Sequence, residues 1–126
     1  MILVLQQYIY QLLNVDLITR NVKAIYYQVP DNSNFPYIYI GDFYSKYISS
    51  KDKVIAKIHF KIAIYLRDKS LRSMLLLSEE IKKILKIDKQ MIIRCVEEKI
   101  TISNDGITKQ INLIFKVILV EKENAI

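Results

Sequence analysis

From Val54 to Leu66 apolar and polar positions alternate. Val54, Ala56, Ile58, Phe60, Ile62, Ile64 and Leu66 fall at even positions, with Lys57, His59 and Lys61 between them. A period of two predicts a half-buried strand, apolar on one face and basic or polar on the other. Arg67-Asp68-Lys69-Ser70 ends the alternation. Leu71, Met74, Leu75, Ser78, Ile81, Ile84 and Leu85 then recur at three- and four-residue steps, the spacing of one helix face. Ser70 is placed to cap the first turn, and Lys82, Lys83 and Lys86 lie toward the end where cations favour the helix dipole. A long strand feeding a helix that folds back to bury its stripe makes the sheet-on-helix unit of an α+β domain.

The flanking segments extend that unit. Ile2, Leu5, Tyr8, Ile9, Leu12 and Leu13 share helical spacing, so a first helix covers about residues 2–14. Val15 to Lys23 is a mixed linker with room for a short helical turn. Residues 24–29 form a short strand that Pro30 ends. PDNSNFP, residues 30–36, is a loop bracketed by prolines. YIYIGDFY, residues 37–44, is aromatic and β-branched, with Gly41 marking a bulge or a close backbone approach. Residues 45–53 are polar and read as a loop between two antiparallel strands.

Beyond the second helix and a short connection at 86–90, residues 91–103 and 108–121 are strands around Asn104-Asp105-Gly106, a strong hairpin signal. Ile111, Leu113, Phe115, Val117 and Leu119 share one face of the last strand. Its other face carries Gln110, Asn112 and Lys116 but also Ile114, Ile118 and Val120, so that strand is central or covered by a partner chain. Residues 121–126 read as a frayed tail. The expectation is a single α+β domain over 1–126: a mainly antiparallel sheet of four to five strands, with helices at about 2–14 and 70–86 packed on it.

Composition narrows the function classes. A chain of 126 residues is one domain and buries about two-thirds of its unfolded surface, without need of disulfide or metal. The single cysteine, Cys95, has no intrachain partner and fits a reducing compartment. The formal net charge is +6, but the lysines are scattered and read first as a solvated surface. Uninterrupted apolar runs reach only about five residues against roughly twenty for a bilayer span, so no membrane partner is expected. MILVLQQYIYQLL lacks a basic leading segment and a small-residue cleavage site, and reads as a structural helix rather than a signal peptide.

The catalytic inventory is sparse. His59 is the only histidine, so no histidine pair exists for a metal and no evident general base. Cys95 lies beside Arg94, which lowers a thiol pKa in principle, but without a partner base it reads as a packed thiol. Glu79-Glu80 and Glu97-Glu98 are sequence neighbours, whose side chains diverge on a helix or a strand and form no carboxylate dyad. Two glycines cannot build a phosphate-cradling loop. The expectation is a binding protein, not an enzyme, without cofactor. Candidate contact residues are Tyr37, Tyr39, Tyr44, Lys46, Tyr47 and Lys51, with His59 and Tyr65 from the neighbouring strand. Aromatics interleaved with bases fit a nucleic-acid platform, but no RNP-like motif is present; divided between core and oligomer contact, they fit a protein interface better.

Starting at FPYIYIGD, residues 35–42, the chain resembles the small tail-completion or tail-terminator proteins of long-tailed phages and gene transfer agents. The family has an N-terminal helix and a short strand ending near a proline, here 25–30. A "pPYv-iG" strand follows, here Phe35 to Gly41. A long strand then runs into an amphipathic helix, here 58–85, and a terminal hairpin closes the domain, here 91–120. Two positions depart from the pattern: Tyr65 stands where a tryptophan is frequent, and leucines fill a helix often rich in glycine or alanine.

The resemblance implies a structural protein of the virion or phage-like particle, made in the bacterial host cytoplasm. It implies a homo-oligomeric, hexameric ring at the head-proximal end of the tail, contacting tail-tube protein and head connector proteins, with DNA passing through without sequence-specific recognition. A related connector or tube protein, and a basic α+β nucleic-acid-binding module, are the alternatives.

Overall fold

The structure is a computed structural model that describes residues 2–67, 70–88 and 91–122, with Glu121 and Lys122 described through their backbone alone. Chain order is α1 (Ile2–Leu13), α2 (Asp16–Thr19), β1 (Ala24–Tyr26), β2 (Tyr37–Ser49), β3 (Lys53–Leu66), α3 (Leu71–Lys86), β4 (Ile93–Ile102) and β5 (Lys109–Lys122). The strands form one sheet in the order β1-β2-β3-β5-β4. Neighbours are antiparallel except β1, which runs parallel to β2. The expected α+β architecture is therefore present, with five strands and a third, short helix at the anticipated turn.

One face of the sheet is covered and the other is open. Alternation in β3 sends Ala56, Ile58, Phe60, Ile62, Ile64 and Leu66 to the covered face, where all are essentially inaccessible. Ile111, Leu113, Phe115 and Val117 of β5 join them, and Phe60 stacks on Phe43 and Phe115 with ring centroids 5.3 Å from each. Against this layer α1 buries Leu5, Ile9 and Leu13, and α3 buries Met74, Leu77, Ser78, Ile81 and Leu85. Leu77, which the expected stripe omitted, is more deeply buried than Leu71, Leu75 or Ile84. Ser78 is tolerated in the core because its Oγ donates to the Leu75 carbonyl at 2.7 Å.

Four expectations need correcting. The polar stretch 45–53 is not a loop: β2 continues to Ser49, and Lys46, Tyr47 and Ile48 pair with Lys57, Ala56 and Ile55. Composition misleads there because this outer end of the hairpin exposes most of its β2 side chains. β1 stops at Tyr26, short of the proline. Ser70 stands at the helix N-cap, but its side chain makes no capping bond; its carbonyl accepts from Met74 N at 3.2 Å instead. Finally, β5 runs to Lys122, and only residues 123–126 of the expected tail lie outside the described residues, as do 89–90 of the connection after α3.

Gly41 meets both of its readings. A bulge separates the Gly41 and Tyr44 register pairs, Asp42 within it has φ 54°, and the Tyr39 ring lies over the place where a Gly41 Cβ would stand.

Candidate functional site

The open face is built in rows across β2, β3, β5 and β4. Residues paired across an antiparallel ladder point to the same side, so the register fixes who stands beside whom. At one end Tyr37 pairs with Tyr65, and Tyr65 with Gln110. Next come Tyr39, Ala63 and Asn112, then Gly41, Lys61 and Ile114. Past the bulge, Tyr44 pairs with His59, His59 with Lys116, and Lys116 with Arg94. Lys46, Lys57 and Ile118 form the following row, and Ile48, Ile55 and Val120 the last before the β2–β3 turn.

Three zones result. The first is aromatic and mostly closed on itself. Tyr37 stacks on Tyr65 at 4.9 Å and meets the edge of Tyr26 at 5.6 Å, and Tyr37 is buried. Burial pushes the Tyr37 and Tyr39 phenols above their ordinary pKa, and Tyr39 also donates to Asp42 Oδ1 at 3.0 Å. The second zone is basic: Lys46, Lys57, Lys61 and Lys116 surround His59, with Arg94 and Glu97 of β4 at its margin. Lys61 pairs with Asp42 at 3.2 Å. Among the described residues no carboxylate lies within ion-pair distance of Lys46, Lys57, Lys116 or Arg94. The third zone is apolar: Ile48, Ile118 and Val120 are each about half exposed.

The predicted contact residues divide across these zones. Tyr44 is exposed on the open face, its ring 6.1 Å from His59 and 5.7 Å from Lys46 Nζ. His59 is half-buried, and its Nδ1 has no hydrogen-bond partner among the described residues. Tyr47 is exposed but pairs with Ala56, so it stands on the reverse face from Tyr44. Lys51 is exposed in the β2–β3 turn. Lys57 and Lys61 were visible in the sequence as polar positions of β3. Lys116 and Arg94 were not among the candidate contact residues, since only the register brings them to the row of His59.

A groove of about 700 Å³ lies between α3 and β4, lined by Glu79, Lys82, Lys83, Lys86, Ile93, Arg94 and Cys95. Lys82 Nζ donates to Glu79 Oε1 at 2.7 Å and Glu98 Oε2 at 3.0 Å, while Lys83, Lys86 and Arg94 have no ion pair among the described residues. The bond to Glu79 is the main cause of the raised Lys82 pKa. Burial pushes the Cys95 thiol up, so Arg94 does not activate it. Among the described residues no three His, Cys, Asp or Glu side chains gather as a metal site, and no helix is long and apolar enough to cross a membrane.

No protein-family model and no curated protein matches the sequence. Among solved structures, the fold is similar to a chain of the "Virion of native gene transfer agent (GTA) particle". The two share 18% identity with a TM-score of 0.79, over 93% of this chain and 95% of that one. That likeness establishes the fold.

Proposed function

We propose that the chain is a structural, non-enzymatic subunit of a phage-like particle, acting as a tail terminator. In this reading, copies close a hexameric ring on the head-proximal end of a tail tube, stop its growth and present a surface to the head connector, while DNA passes through the centre. The observation that carries the reading is the reciprocal coverage with a virion chain, 93% of this chain and 95% of that one. Fold alone does not fix a role, so the surface matters. Exposed Ile48, Ile118 and Val120 adjoin on the open face near the β2–β3 turn, and exposed Tyr47 stands behind them. An apolar end of this kind suits contact with neighbouring subunits or the tube.

Sedimentation velocity across a wide concentration range tests the proposal. A closed oligomer of fixed size is expected as concentration rises. Open-ended growth would favour a tube protein instead, and a monomer that also fails to bind tail tubes would overturn the terminator reading. Tyr44→Ala with Tyr47→Ala is expected to weaken assembly; unchanged assembly would remove both tyrosines from the contact.

A further inference from the structure

Lys46 stands directly opposite Lys57 on the open face, and Lys116 stands opposite both His59 and Arg94. Like charges directly across a ladder are destabilising. Within the zone only Lys61 has a counter-charge, Asp42 at 3.2 Å; Lys46, Lys57, Lys116 and Arg94 have none among the described residues. A local conflict without internal compensation is the mark of a site that answers to something outside the fold.

From this we infer that the cationic rows of the open face bind the phosphate backbone of double-stranded DNA. The zone is an open stretch of pleated sheet, which the groove under α3 meets at Arg94. An uncovered sheet face does not enclose a small phosphorylated ligand. Cations repeated along and across strands suit a polyanion with repeated charge, where lysine and arginine contacts dominate affinity. The centre of a protein–protein contact is instead depleted in lysine and built on apolar or aromatic anchors, a description that fits the neighbouring isoleucines. Single strands are recognised by stacking on free aromatic faces. Here Tyr37 and Tyr65 stack on each other, leaving Tyr44 as the exposed ring of the zone. The setting is the DNA passage of the proposed ring, and to that extent the inference rests on that reading. The cations themselves carry the site.

The test is fluorescence anisotropy of the intact chain with a short mixed-sequence labelled duplex, over a series of salt concentrations. Binding that weakens steeply with salt is expected. In the Lys46→Gln/Lys57→Gln variant the slope of log affinity against log salt should flatten by about 2, at roughly 0.9 per lost phosphate contact. Its melting temperature at low salt should stay level or rise, because a like-charge pair is relieved; lysines with a merely structural role would lower it. Lys83→Gln on α3 should leave the slope unchanged. Absence of duplex binding at low salt, or an unchanged slope in the double variant, would overturn the assignment. So would tighter binding of the matching single strand. Equal competition by poly-L-glutamate would replace DNA with an acidic protein surface. None of these results bears on the ring, which sedimentation tests separately.

Discussion

Arg67 meets Asp105 at 3.3 Å, tying the end of β3 to the β4–β5 turn. The carboxylate is also held from its own side: Oδ1 accepts from the backbone N–H groups of Ile107 and Thr108, each at 2.8 Å, and Oδ2 from Thr108 Oγ1 at 2.6 Å. These bonds, that from the Thr108 side chain first, lower the Asp105 pKa from 3.8 to about 2. A depressed carboxylate pKa stabilises the fold above the unfolded value, and that contribution is lost as pH falls through the folded one. Asp105→Asn is therefore expected to lower the melting temperature at neutral pH and to flatten its decline between pH 4 and 2. Melting curves followed by circular dichroism across that range check it; an unaltered acid limb would place the sensitivity elsewhere.

Gly41 is held open by sterics more than by its own dihedrals. A Cβ there would overlap the hydroxyl end of Tyr39, whose bond to Asp42 fixes the ring in place. Gly41→Ala should cost about 1–3 kcal/mol, in the range of an overpacked site. With Tyr39→Ala in the same chain the added cost should largely vanish. A double-mutant cycle in urea measures the coupling, and additive costs would show that the backbone, not the ring, excludes a side chain.

Phe60 joins three strands through its stacked neighbours Phe43 and Phe115. Truncation to alanine leaves a cavity at the middle of the sheet. The expected loss is about 3–5 kcal/mol, read from the urea midpoint at constant m-value. A loss near 1 kcal/mol would mean that α1 or α3 settles into the space.

Ser70 should matter little. Its side chain makes no capping bond, so Ser70→Ala is expected to shift stability by less than about 0.5 kcal/mol, not the roughly 1 kcal/mol of a working cap. Thermal melts of the variant decide between the two.

Sequence periodicity disclosed most of this fold where one period held without interruption. β3 and α3 could be read residue by residue because each has one clean face against one core. The turn at Asn104 to Gly106 likewise announced its hairpin. Faces were lost wherever a strand changed register. In β2, simple alternation groups Tyr37 and Tyr39 with Tyr47. The bulge after Gly41 inserts one extra residue and reverses the parity, so Tyr44, Lys46 and Ile48 join the face of Tyr39 while Tyr47 turns away. The bulge between Cys95 and Glu97 does the same to β4. The juxtaposition of Lys46 with Lys57, and of Lys116 with His59, therefore existed only once the ladder was seen.

The margins of the sheet carry one more consequence. On one margin β1 covers β2 only at Tyr37 to Tyr39, and the edge that β2 presents beyond it is kinked by the bulge after Gly41 and carries Lys46; on the other, β4 is bent by its bulge beside Glu97, Glu98 and Lys99. Short, kinked or charged edges make poor templates for a foreign strand. Isoleucine-rich β-segments are otherwise apt to recruit one another into fibrils. With both borders blunted, concentrated protein is steered away from amyloid-like stacking. Association then falls to side-chain surfaces, where shape and charge decide when it stops.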